Sequence, residues 1–332
     1  MIIRKSIEVI GISAQIYKKQ RTMIEKMQKT ILEVNSISKG FSNVKAVDSI
    51  SFSITPGDIY AFLGPNGAGK TTILRMLLDI IKPDSGNIAW KLNGKQNQLP
   101  AAEHIGYLPE ERGLYLDIPI LKSLVYLASI RGMEKAHAKK TALEWLERLG
   151  LADRSKEKLQ VLSKGNQQKI QFIASILHKP QFAILDEPFS GLDPLNQELF
   201  IGFIKEINNQ GTTILLSAHQ MSLIEKLASK IFLINNGREV YNGSLSGIYQ
   251  KFGENIIIEV QLESPFNEAT FQCLNGVENI EKIDDLRAKV RFGQKTVLKE
   301  VLHDLTKLEG ICDITSRKPD LHEIFVQLVK NQ

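Results

Sequence analysis

Residues 58–80 read DIYAFLGPNGAGKTTILRMLLDI. The run IYAFL has the composition and length of a buried strand, and ILRMLLDI after it carries apolar residues at helical spacing. Between the two, Gly64 to Thr71 fit G-x-x-x-x-G-K-[ST]. A triphosphate needs this order of residues. Glycines let backbone N–H groups converge on phosphate oxygens with no Cβ in the way, and the following helix adds the partial positive charge of its N-terminus. Lys70 supplies a mobile full charge for the β- and γ-phosphates, and the Thr71 hydroxyl suits a Mg²⁺ ion. The flanking strand and helix separate this pattern from a chance match. Gly64, Pro65, Asn66, Gly67, Ala68, Gly69, Lys70, Thr71 and Thr72 are therefore the candidate nucleotide-binding residues, and the expected fold is an α/β phosphate-loop domain.

A second anchor is QFAILDEPFSGLDP at 181–194. Four apolar residues end in Asp186 and Glu187, as at the carboxyl end of a buried parallel strand, where ligands collect. Beside a phosphate loop, Asp186 is placed to hold Mg²⁺ and Glu187 to orient or deprotonate an attacking water. TTILLSAHQ at 212–220 gives a third strand ending in His219, which reads as a contact to the γ-phosphate or to Glu187. A lone histidine would more often be structural; its place at the end of such a strand favours function.

A further polar, glycine-containing loop, VLSKGNQQKI at 161–170, lies nearly a hundred residues beyond the first. Taken in order, GPNGAGKTT, LSKGN, ILDEP, SGLDP and His219 resemble the nucleotide-binding domain of an ABC transporter, over about residues 31–245. The resemblance implies a mixed core sheet, an antiparallel β-subdomain and a helical subdomain bearing the LSKGN loop. It also implies that two subunits pack head to tail, so that each LSKGN loop caps the ATP held by the other's phosphate loop. Ser163 and Gly165 match the family's LSGGQ pattern at this loop, while Lys164 and Asn166 depart from it. Asn166 keeps the amide with one methylene less, and QQKIQFIASIL is expected to continue as an amphipathic helix with Ile170, Ile173, Ala174 and Leu177 on one face.

Another departure is in IGYLPEERGLY at 105–115, where Glu110 replaces the family's glutamine. That position joins the metal and water shell to the helical subdomain in the family, and Glu110 is counted with Thr71 and Asp186 as a metal candidate. Phe41 falls where the family has its adenine-stacking aromatic, and stacking is favoured over a core role. The resemblance places Asp193 of SGLDP at the subunit boundary.

The chain of 332 residues is long enough for a large domain and a smaller one. No apolar run approaches the roughly 18–20 residues of a membrane helix. Cys273 and Cys312 are the only cysteines and form no C-x-x-C pair, which argues against a zinc site or a disulfide framework. The net charge of +5 sits in residues 1–30, where Arg4, Lys5, Lys18, Lys19, Arg21, Lys26 and Lys29 face only Glu8 and Glu25. Met23 and Met27 precede the first expected strand, so this basic extension reads as a poorly ordered tail or an early start. The rest of the chain is neutral overall and offers no charge excess to attract nucleic acid.

KIFLINNGREVYNG reads as a hairpin with an Asn-Gly turn that closes the first domain. From about 252 to 332, NIIIEVQL, ENIEKI, AKVRF and CDITSR read as strands. PFNEATFQCL, KTVLKEVLHDLTKLE and PDLHEIFVQLVK read as helices, the last with a capping-box spacing at Asp320 and Glu323. This small α/β domain resembles the C-terminal appendage of export-type ABC ATPases that work with a separate permease, a group including sodium and drug exporters. The expected function is ATP hydrolysis that drives export through an integral-membrane permease, by a chain peripheral to the cytoplasmic face of the membrane and paired with a second copy or a paralogous ATPase subunit. An importer ATPase, or a soluble ABC protein acting on ribosomes or nucleic acid, is the alternative.

Overall fold

The computed structural model describes residues 30–92, 99–111, 113–253, 255–293 and 296–330. The basic extension read at residues 1–30 lies outside them, apart from Thr30. Two compact units divide the chain between Asn242 and Gly243.

In the first unit, β1 (Leu32–Phe41), β2 (Val44–Ile54) and β4 (Ser85–Trp90) form an antiparallel sheet in the order β2-β1-β4. The strand β3 (Ile59–Leu63) belongs to a second sheet with β5 (Ile105–Leu108), β6 (Phe182–Asp186), β7 (Thr213–Ala218), β8 (Lys230–Asn235) and β9 (Arg238–Ser244). Its order is β5-β6-β7-β3-β8-β9, and β3 runs parallel to both β7 and β8, as β6 does to β5 and β7. Every residue of β3, β6 and β7 is buried. Such continuous burial explains why these strands read as unbroken apolar runs. Phe52 of β2, Tyr60 and Phe62 of β3 and Phe232 of β8 interlock with ring centroids 5.1–5.8 Å apart, joining the two sheets. Each such aromatic pair contributes about 0.5–1.5 kcal/mol beyond simple burial.

The turn between β8 and β9 has Asn236 at φ 47° and Gly237 at φ 74°, the left-handed pair that a two-residue hairpin needs. Gly237 N–H donates to the Ala68 carbonyl at 3.0 Å, and its own carbonyl accepts from Asp48 N–H at 2.8 Å. A Cβ on Gly237 would stand 2.7 Å from the Ala46 carbonyl oxygen, so only glycine fits this close approach.

The helices of this unit are α1 (Lys70–Leu77), α2 (Ile120–Ser129), α3 (Lys135–Arg148), α4 (Lys164–Ile176), α5 (Pro194–Asn209) and the short α6 (Met221–Glu225). The α1 helix stops before the end of ILRMLLDI, because Asp79 turns left-handed at φ 60°. The α4 helix differs from the expected amphipathic pattern: every residue from Gln167 to Ile176 is buried. Its glutamines do not face solvent but bond carbonyls of neighbouring loops. Gln167 donates to Leu159 and Leu162, Gln168 to Glu187 and Pro188, and Gln171 to Glu111.

The second unit opens with α7 (Leu245–Phe252) and continues through β10 (Ile256–Leu262), α8 (Glu268–Gln272), β11 (Val277–Lys282), β12 (Arg287–Phe292), α9 (Leu298–Leu305), β13 (Ile311–Arg317) and α10 (Leu321–Lys330). Its strands form an antiparallel sheet ordered β11-β12-β10-β13, over a core that includes Ile258, Val260, Phe271, Val290, Phe292 and Leu305. The α9 helix is shorter than the apolar spacing suggests, since Val297 before it is extended. At α10 the capping box forms reciprocally: Glu323 N–H donates to Asp320 at 2.8 Å and Asp320 N–H to Glu323 at 3.1 Å.

Candidate functional site

The register of the parallel strands decides the site. Leu63 pairs with Ala218 and Asp186 with Ser217, so β3, β7 and β6 end side by side and their following loops share one edge of the sheet. Leu108 pairs with Leu185, which brings the loop after β5 to the same edge. Ligands of open α/β sheets bind at such carboxyl ends.

The loop after β3 is shaped by its glycines. Gly67 and Gly69 take φ 79° and 105°, a region that side-chain-bearing residues enter at a penalty. A Cβ on Gly64 would lie 2.2 Å from the Ile234 carbonyl oxygen. Pro65, Asn66 and Gly67 are exposed, whereas Ala68 and Gly69 are buried and anchor the loop. Lys70 is only 6% exposed. Its Nζ donates to the Gly64 carbonyl at 2.8 Å and the Pro65 carbonyl at 3.2 Å, and stands 3.9 Å from Glu187 Oε1. Thr71 and Thr72 are half-buried in the first turn of α1. The Thr71 hydroxyl is 3.4 Å from both Asp186 Oδ1 and Glu110 Oε2.

Asp186 is fully buried. Burial pushes its carboxyl above the usual range, and Glu110 and Glu187 push the same way against the lowering hydrogen bonds from Ser217 and Thr71. Its Oδ1 accepts the Ser217 hydroxyl at 2.5 Å, while Oδ2 is buried without a hydrogen-bond partner. Glu187 adopts φ 49°, a strain of about 1–3 kcal/mol for a residue other than glycine. Three groups hold it there: Glu187 N–H donates to Ser217 Oγ at 3.0 Å, and its carbonyl accepts from Gln168 at 3.3 Å and from Ser190 N–H at 3.1 Å. Its carboxylate Oε2 is 2.9 Å from His219 Nδ1, whose ring is half exposed.

Lys70, Thr71, Glu110, Asp186, Glu187 and His219 thus converge. None of the cluster's hydrogen bonds among the described residues reaches Phe41, Ser163 or Gly165. Phe41 ends β1 with 48% exposure and Lys39 Nζ 5.8 Å from its ring centroid, so it is not a core residue. Ser163 is the N-cap of α4, accepting from Asn166 N–H at 3.4 Å. A Cβ on Gly165 would meet the Gly191 carbonyl oxygen at 2.9 Å. Asp193 caps α5 through Asn196 N–H at 2.9 Å.

The donor set suits a small hard cation that retains other ligands. Asp186 Oδ2 is an unpartnered carboxylate oxygen, with the Thr71 hydroxyl close to its twin. Among the described residues no three of His, Cys, Asp and Glu make a cage by themselves. Mg²⁺, which completes its shell with water and phosphate oxygens, fits those donors.

Sequence reasoning passed over Ser217 and Gln168. Ser217 carried a signal: a hydroxyl inside the apolar run TTILLSAHQ, two residues before His219 and so on the same face of the strand.

The ABC transporter family matches residues 47–190, which include the phosphate loop, both carboxylates and the LSKGN loop. An uncharacterised ABC transporter ATP-binding protein of Bacillus subtilis (strain 168), YhaQ, is 38% identical over 300 residues, covering 90% of this chain and 98% of that protein. The Nod factor export ATP-binding protein I of Paraburkholderia xenovorans (strain LB400) is 31% identical over 225 residues, covering 67% of this chain and 73% of that protein. A solved structure of the ATP-binding subunit of an ABC transporter superposes with a TM-score of 0.61 at 29% identity, covering 67% of this chain and 93% of the other. With one relative matched along nearly its entire length, the assignment is plain: this chain belongs to the family of ABC transporter ATP-binding proteins.

Proposed function

We propose that this ATPase subunit drives export through a separate integral-membrane permease at the cytoplasmic face of the membrane, by closure of two ATP-binding subunits. The second subunit is another copy of the chain or a paralogue. The observation that carries this reading is a second phosphate-directed device: Ser163 and Gly165 open the buried helix α4 and form no hydrogen bond with the phosphate loop of their own chain among the described residues. A hydroxyl, a glycine N–H and a helix N-terminus form an anion site, and one nucleotide in the loop after β3 leaves it free for another subunit's ATP. The name of the Nod factor export relative supports the outward direction. No described helix is long and apolar enough to cross a membrane, which fits a transport path on another chain. The neutral body gives no reason to expect a nucleic-acid partner.

In this reading Gly64 to Thr72 hold the phosphates, Lys70 offsets their charge, and Phe41 stacks on the base. Thr71 and Asp186 would hold Mg²⁺, with Glu110 reaching it through its water shell, and the ion would supply charge neutralisation for the phosphates. Glu187 takes a proton from the attacking water and His219 fixes its carboxylate. Each nucleotide favours the closed pair only through contacts made with both subunits.

Mixing two inactive variants, Lys70→Ala and Ser163→Arg, tests the closure. One site of every mixed pair is intact, so partial ATPase recovery is expected; no recovery would refute closure between copies of this chain. Co-purification with the permease and transport into inverted vesicles test direction, and uptake of the opposite sense would assign the chain to an importer.

A further inference from the structure

We propose that Ser217 is a positioning residue for ATP hydrolysis, one buried hydroxyl that sets the geometry of Asp186 and Glu187 together. The proposal rests on the assignment of those carboxylates to the metal and the attacking water. A serine hydroxyl has one proton to give and lone pairs to receive. Ser217 uses both: it donates to Asp186 Oδ1 at 2.5 Å and accepts from Glu187 N–H at 3.0 Å. The residue is fully buried, so water cannot replace either bond.

The parallel register makes this bridge possible. Ser217 is the direct partner of Asp186 across the β6 and β7 pair. The bond to Oδ1 commits that oxygen and leaves Oδ2, which has no protein partner, as the oxygen available to a cation. The bond from Glu187 N–H fixes the first residue beyond β6 at φ 49°, a conformation glutamate rarely adopts unaided. Two residues further on, just past the end of β7 (Thr213–Ala218), His219 takes the Glu187 carboxylate at 2.9 Å. The end of β7 and the residue after it therefore grip Glu187 at two points, backbone by Ser217 and side chain by His219. An apolar residue at 217 would suit the strand better, since Ile214, Leu215 and Leu216 fill it. The hydroxyl is explained by the two acids and not by the core.

The isosteric pair Ser217→Thr and Ser217→Val, with Ser217→Ala, separates the hydroxyl from the shape. All are made in the full chain. We measure kcat and KM for ATP, the Mg²⁺ concentration giving half-maximal turnover, and displacement of trinitrophenyl-ATP by ATP with and without EDTA. The threonine variant is expected to stay close to wild type. The valine and alanine variants are expected to lose about ten- to a hundredfold in kcat and to need several-fold more Mg²⁺, the range found for outer-shell partners of metal ligands. Their ATP affinity in EDTA and their KM should remain near wild type. Valine or alanine variants equal to threonine in turnover and Mg²⁺ requirement would overturn the proposal. So would a threonine variant as impaired as valine, a parallel loss of metal-free ATP binding, or hydroxyl-free variants that all fail to fold while threonine folds.

Discussion

His219 Nδ1 and Glu187 Oε2 stand 2.9 Å apart and tie the ends of two adjacent parallel strands, a half-exposed ring holding a carboxylate that is 10% exposed. General bases contribute about 10²–10⁴-fold to the reactions they serve. Glu187→Gln keeps the shape and removes the base, so turnover should fall by about that factor while ATP binding persists. His219→Ala should lower kcat with little change in KM, because it frees the carboxylate without touching the phosphate loop. Steady-state ATPase assays paired with equilibrium ATP binding check both.

Glu110 places a negative charge 3.4 Å from the Thr71 hydroxyl, where the family has an amide. Glu110→Gln should raise the Mg²⁺ concentration for half-maximal ATPase by up to about tenfold, as loss of an outer-shell group does. An Mg²⁺ titration of turnover reads the effect. An unchanged requirement together with unchanged transport-linked turnover would remove Glu110 from the site.

Two glycines should respond to alanine with opposite signs. At Gly64 the new Cβ meets the Ile234 carbonyl oxygen at 2.2 Å, and backbone cannot yield cheaply. Destabilisation by about 1–3 kcal/mol and loss of ATP binding are expected. At Gly202, exposed within α5, nothing lies within 4 Å of the added Cβ. That variant should be more stable by about 0.5–1 kcal/mol, through helix propensity alone. Thermal or urea unfolding distinguishes them.

The second unit should be acid-sensitive at one carboxylate. Burial opposes the ionisation of Glu323, yet Arg317 at 2.6 and 2.8 Å, Lys289 at 2.6 Å and Asp320 N–H together lower it from the ordinary 4.5 to about 2. Between those values the unfolded chain binds the proton and the folded one does not. The contribution of Glu323 is thus complete above pH 4.5 and is lost as pH falls toward about 2. The protection factors of the β10 and β13 amides, taken against unfolded-chain exchange at the same pH, should fall across that window. In Glu323→Gln they should be lower at neutral pH and less dependent on acid.

The phosphate loop was legible because its demands are local: a strand, glycines and a helix within two dozen residues dictate their own geometry. The carboxylate strand and His219 were legible for the same reason, each ending a short apolar run. Ser217 was not, since its purpose exists only across a strand pairing that joins positions some thirty residues apart. The α4 helix misled for a related cause. Its glutamines look like a wet face in sequence, and only the folded loops at 111, 159, 162, 187 and 188 reveal the carbonyls they satisfy. The length of α9 was also overread, because apolar spacing does not register where the backbone stays extended at Val297.

The Asn236-Gly237 turn has a mechanical meaning beyond closing a hairpin. Its Gly237 fastens to Ala68 inside the triphosphate cradle and to Asp48 on the antiparallel sheet, so a single knot secures three stretches distant in sequence. Lengthening that knot by one residue would slacken the cradle while leaving every atom destined to meet ATP chemically intact.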